Sequence, residues 1–79
     1  MKIEVKLFSF LCSLFGKDGN RYSFNMEIEE GTTCADLLKI LHIPQDLPKV
    51  ILINGMVKEE KYLLQEGDEV SILPPIEGG

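Results

Sequence analysis

Apolar and polar residues alternate from the start of the chain, with Ile3, Val5 and Leu7 set against Lys2, Glu4 and Lys6. This is the period of a strand with one buried face. Tyr22, Phe24, Met26 and Ile28 repeat the pattern against Ser23, Asn25, Glu27 and Glu29. Between them, residues 9–20 carry Phe10, Leu11, Leu14 and Phe15 and then Gly16-Lys17-Asp18-Gly19-Asn20, which predicts a short helical turn followed by a loop. After Gly31-Thr32-Thr33 the period lengthens. Cys34, Leu37, Leu38 and Leu41 fall on one helical face, Thr33 and Asp36 form an acidic variant of the capping box, and Ile43-Pro44 and Pro48 end the helix. Val50-Ile51-Leu52-Ile53 is apolar on both faces, as expected of a central strand. Asn54-Gly55 supplies a tight turn into Met56-Val57-Lys58, and Glu66-Gly67-Asp68 turns into a last strand over 69–73 with Val70 and Ile72 facing inward.

The order is β-β-α-β-β-β, an α+β arrangement with one main helix covering one face of a mixed sheet. It matches the ubiquitin-like β-grasp. Likeness to that fold implies that the first and last strands lie side by side and parallel. Phe8 and Leu73 would then share one end of the sheet beside Ile76, as an apolar spot suited to docking a partner.

The chain divides into a β-grasp domain, 1–73, and an extended tail, 74–79, which closes on Gly78-Gly79. Glycines lack β-carbons, so the backbone can lie extended in a narrow channel with nothing crowding the carboxylate. Pro74 and Pro75 fix φ and favour a stiff polyproline conformation. At about 3.1 Å per residue, six residues reach roughly 19 Å, enough to deliver a terminus into a pocket on another protein. A frayed end is the competing explanation, and the proline stalk argues against it.

Composition narrows the function. A chain of 79 residues makes one domain with a single core and no room for a deep active site of its own. A net charge of −5, with the eight bases scattered singly, argues against a nucleic-acid surface. No run reaches the ~20 apolar residues of a membrane span, and Glu4 spoils the basic leader that a signal peptide would need. Cys12 and Cys34 have neither zinc-ligand nor disulfide-framework spacing, and two cysteines are too few for an iron-sulfur β-grasp, so no metal is expected. A reducing, cytoplasmic setting follows as the expectation. Cys34 is read as core packing, Cys12 as partly exposed, and His42, the single histidine, as a helix-terminal group.

Leu63-Leu64-Gln65-Glu66-Gly67-Asp68-Glu69-Val70, followed by Leu73-Pro74-Pro75-Ile76-Glu77-Gly78-Gly79, resembles the MoaD/ThiS sulfur carriers, above all the small subunit of molybdopterin synthase. Leu47-Pro48 leading to Val50-Ile51-Leu52-Ile53-Asn54-Gly55 is similar as well. Many small subunits carry a basic residue after the first strand, where this chain has Phe10-Leu11-Cys12-Ser13-Leu14-Phe15. Thiamine-pathway relatives are usually shorter before the second strand, which favours the molybdopterin branch.

The resemblance implies a mechanism. A ubiquitin-activating-type adenylating enzyme uses ATP to convert Gly79 into an acyl adenylate, and sulfur attacks to leave a thiocarboxylate. That group then donates sulfur inside the molybdopterin synthase large subunit or another sulfur-acceptor enzyme. Gly79 is the acyl carrier and Gly78 gives clearance, while Phe8, Leu73, Pro74, Pro75, Ile76 and Glu77 meet the partner. The chain binds no cofactor itself and acts as the sulfur-donating subunit. Two alternatives share the first step: a carrier for thiamine thiazole or another sulfur-containing metabolite, and a ubiquitin-like modifier joined to lysines.

Overall fold

The computed structural model describes residues 1–75. It contains β1 (Lys2–Phe8), a 3-10 helix (Ser9–Phe15), β2 (Arg21–Glu27), α1 (Cys34–Ile40), β3 (Val50–Ile53), β4 (Met56–Val57) and β5 (Glu69–Leu73). The strands form one mixed sheet in the order β2-β1-β5-β3-β4. β1 runs parallel to β5 and antiparallel to β2, and β3 is antiparallel to both β5 and β4. This is the β-grasp arrangement read from the sequence.

Local chemistry accounts for the elements. α1 starts at the expected capping box: the Asp36 N–H donates to Thr33 Oγ1 and the Thr33 N–H to Asp36 Oδ2, each at 3.1 Å. Two further amides of its first turn, those of Cys34 and Ala35, donate to the carbonyls of Tyr62 and Glu60. The helix end differs in detail from the expectation. Leu41 caps it, and His42 takes a left-handed φ of 59° where glycine is usual. The Ile43 N–H reaches Leu38 O and the His42 N–H reaches Lys39 O, which closes the helix through the backbone. Asn54 and Gly55 adopt the positive φ angles, 53° and 85°, that the β3–β4 turn requires.

One core lies between the sheet and α1. Ile3, Val5 and Leu7 of β1, Val70 and Ile72 of β5, and Ile51 and Ile53 of β3 meet Cys34, Leu37 and Leu38 of α1. The 3-10 helix closes one end with Leu11 and Cys12, both buried. Cys12 was expected to be partly exposed. Instead it is fully buried, its Sγ donating to Leu7 O at 3.4 Å, because the helical turn folds inward immediately after β1. β3 also departs from the reading of a strand buried on both sides: Ile51 and Ile53 are buried, whereas Val50 and Leu52 are half-buried on the uncovered face.

Candidate functional site

The parallel register of β1 and β5 sets the site. Lys6 lies beside Ser71 and Leu7 beside Ile72, so one further step brings Phe8 alongside Leu73 where both strands end. On the far side of β5, Leu73 pairs with Val50. Phe8, Leu73 and Val50, all half-buried, therefore form an apolar row across three strands on the face that α1 leaves open. A second row holds Lys6, the small buried Ser71, Leu52 and the exposed Val57. Lys6 Nζ reaches Glu69 Oε2 at 3.2 Å along the polar border of this patch. Between β1 and β2, a shallow cleft of about 210 Å³ is lined by residues including Lys6, Phe8 and Arg21. Phe10 and Leu14 of the adjoining 3-10 helix are also exposed.

Pro74, half-buried, and Pro75, exposed, continue from this patch. The structure thus brings Phe8, Leu73, Pro74 and Pro75 together at one end of the sheet. The expectations for Ile76, Glu77, Gly78 and Gly79 lie outside the described residues. Val50, Leu52 and Val57 belong to the same surface and escaped the sequence reading. Their signal was the apolar alternate positions of β3, whose outward neighbours were unknown without the strand order.

Asp68 holds the patch in place. It is 5% exposed, and its Oδ2 accepts from the Gln65 N–H at 2.8 Å and Tyr62 OH at 3.3 Å. Its Oδ1 accepts from Asn54 Nδ2 at 2.9 Å, while Asn54 Oδ1 accepts from the Glu69 N–H. The Glu4 N–H donates to Asp68 O, and the Gly67 N–H donates to Lys2 O. The Gly67-Asp68-Glu69-Val70 turn therefore locks β5 to both β1 and the β3–β4 hairpin, and so fixes where the chain leaves Leu73.

Among the described residues, Cys34 and His42 are the other candidates for a reactive centre. The Cys34 thiol is raised to about 11, first by burial and then by the negative charges of Asp68 and Glu60, so it stays protonated and poorly nucleophilic. His42 is exposed just past the helix end, where its backbone N–H donates to Lys39 O. Among the described residues no three His, Cys, Asp or Glu side chains group as metal ligands, and no helix is long and apolar enough to cross a membrane.

A sequence model of the ThiS family matches residues 5–79, nearly the whole chain and through both terminal glycines. The chain belongs to the ThiS family. This family member is similar to the putative molybdopterin converting factor subunit 1 of Pyrococcus furiosus, with 25% identity, a TM-score of 0.77, and 95% of this chain and 98% of that one covered. It is also similar to small archaeal modifier protein 1 of Methanosarcina acetivorans, at 25% identity and a TM-score of 0.64, over 99% of this chain and 96% of that one. A chain from the complex of subunits 1 and 2 of the Helicobacter pylori molybdopterin-converting factor shares the fold, at 24% identity and a TM-score of 0.59, with both chains fully covered. No curated protein matches by sequence.

Proposed function

We propose that this ThiS-family chain is a sulfur carrier. Its Gly79 is adenylated and converted to a thiocarboxylate that donates sulfur in molybdopterin formation, with the chain acting as small subunit of the synthase. The observation that carries this reading is the family match running through Gly78 and Gly79. The apolar row of Phe8, Leu73 and Val50 at the tail root supports it, because a partner can grip that row while the tail enters its pocket.

A carboxylate is a poor acyl donor, since oxide would have to leave. In the proposed sequence an oxygen of the Gly79 carboxylate attacks the α-phosphorus of ATP, pyrophosphate departs, and the acyl adenylate remains. A sulfur nucleophile supplied by the activation machinery then attacks the acyl carbon and AMP leaves with the electron pair. Where that nucleophile is a persulfide, the product is an acyl disulfide, and a thiol of the same machinery attacks the donor's sulfur, releasing the thiocarboxylate and leaving a disulfide on the machinery. Gly78 gives the attacking group a clear approach. ATP and the catalytic groups belong to the adenylating enzyme and to the sulfur-accepting subunit. The chain contributes position and cargo.

The assignment to molybdopterin draws on the likeness to the P. furiosus subunit and on the H. pylori complex, in which subunit 1 is joined to subunit 2. Docking to a corresponding large subunit uses the apolar row and Pro74-Pro75. Deleting Gly79 should abolish sulfur transfer to that subunit and leave the thermal transition of the chain unchanged. Retained transfer would refute the reading.

A second reading is a protein modifier, favoured by the likeness to the Methanosarcina modifier protein. It uses the same adenylate but passes the acyl group to a lysine amine. Conjugates of higher mass that vanish when Gly79 is deleted would select it, and their absence alongside sulfur transfer would select the carrier.

A further inference from the structure

The sheet has two edges. β4 is only Met56–Val57, too short to recruit a strand, whereas β2 spans the seven residues Arg21–Glu27. The hydrogen-bond phase along β2 follows from its ends. Met1 N donates to Ile28 O at 2.7 Å and the Ile28 N–H returns to Met1 O at 2.8 Å, so Met1 and Ile28 form a bonded pair. In an antiparallel ladder bonded pairs alternate, so Met26, Phe24 and Tyr22 turn their backbone groups toward β1. The Ser9 N–H donating to Asn20 O at the far end has the same phase. Arg21, Ser23, Asn25 and Glu27 consequently aim both N–H and C=O away from the sheet.

No turn or loop backbone bond among the described residues takes up these groups. Of the usual edge guards, β2 lacks proline, lysine and any bulge in its register with β1, and its charges are confined to its two ends, Arg21 and Glu27.

The sequence of this edge complements itself. In antiparallel pairing of β2 with β2 of a second molecule about Phe24, all seven residues are used. Arg21 then faces Glu27 of the other molecule, and Ser23 faces Asn25. Each of these four positions has outward backbone groups, so every bonded pair in the new ladder is satisfied. The core-side residues fall into register as well. Phe24 meets its own copy and Tyr22 meets Met26, all of them half-buried in the single chain. Shifting the register by two residues in either direction shortens the ladder and separates Arg21 from Glu27. Opposite charges at the two ends of one exposed strand are what a two-fold, isologous contact uses.

We propose that the chain self-associates through β2 into a symmetric dimer with a continuous ten-stranded sheet, held in register by two reciprocal Arg21–Glu27 pairs. β1 separates this joint from β5, so Leu73 and Pro74 lie one strand away from it. The proposal goes beyond the carrier reading and stands whether or not that reading holds.

The test is sedimentation equilibrium of the full chain from about 20 μM to about 1 mM, the range expected for an interface below standard size. The mass should climb from one chain toward two. R21E and E27R should each weaken association about tenfold, because each sets like charges opposite one another twice. An equimolar mixture of R21E and E27R should regain at least the wild-type association, because each then supplies what the other lacks. Asn25→Pro, which removes an N–H aimed only at the second molecule, should hold the chain at monomer mass with its thermal transition preserved. A wild-type mass of one chain throughout, a dimer indifferent to these changes, or a mixture that fails to recover would each overturn the proposal.

Discussion

Leu7 and Ile72 are register partners where β1 runs parallel to β5, so the two strands end together and Pro74 leaves beside Phe8. This fixes a surface as well as a position. Phe8→Ala and Leu73→Ala should each weaken binding to the large subunit by roughly 5- to 30-fold, the range of a central contact residue. Titration calorimetry checks the affinity. Circular dichroism should show both variants folded, since the two side chains face away from the core.

Asp68→Ala tests what holds that position. The substitution leaves the donors of Asn54, Tyr62 and Gln65 without their acceptor at a nearly closed site, and it should cost about 2–3 kcal/mol in urea unfolding. A loss below about 0.5 kcal/mol would mean that the network does not tie β5 to the hairpin.

Much of this architecture was legible because its causes are local. The alternation in β1 and β2, the Thr33–Asp36 box and the Asn54-Gly55 turn are each written within a few residues, and each formed as read. What stayed hidden depends on neighbours distant in sequence. Val50 and Leu52 look like core until the strand order puts them on the open face. Asp68 reads as an ordinary turn acid until Asn54, fourteen residues away, closes on it. Cys12 looks accessible until its helical turn folds under the sheet end. The parallel pairing of β1 with β5, on which the site depends, came from likeness to the fold and not from any pattern in the residues.

Both cysteines should resist thiol reagents in the folded protein. Cys12 and Cys34 are buried, and the Cys34 thiol is pushed up to about 11. Labelling by a disulfide reagent at neutral pH should be at least about 100-fold slower than in urea, because it must wait for opening. Above the ordinary thiol value the unfolded chain ionises while the folded one does not, so Cys34 lowers stability as pH rises from about 9 toward 11.

Acid should act through the helix cap. The backbone N–H of Thr33, and then its side chain, hold the Asp36 carboxyl below the usual carboxylate range. A depressed value means the contribution is present above the ordinary carboxylate pKa and lost as pH falls through the folded one. Urea midpoints of wild type and Asp36→Asn should differ at pH 7 and converge at the acid end; a constant gap would contradict the assignment.

The central claim is that Gly79 becomes an acyl carrier of sulfur. Intact-mass spectrometry of the native protein, incubated with its adenylating enzyme, ATP and a sulfur source, tests it most directly. The account predicts a gain of about sixteen daltons, one oxygen replaced by sulfur, confined to the C-terminal peptide and lost on transfer to the acceptor. An unchanged mass at the C terminus under conditions that form the adenylate would contradict it.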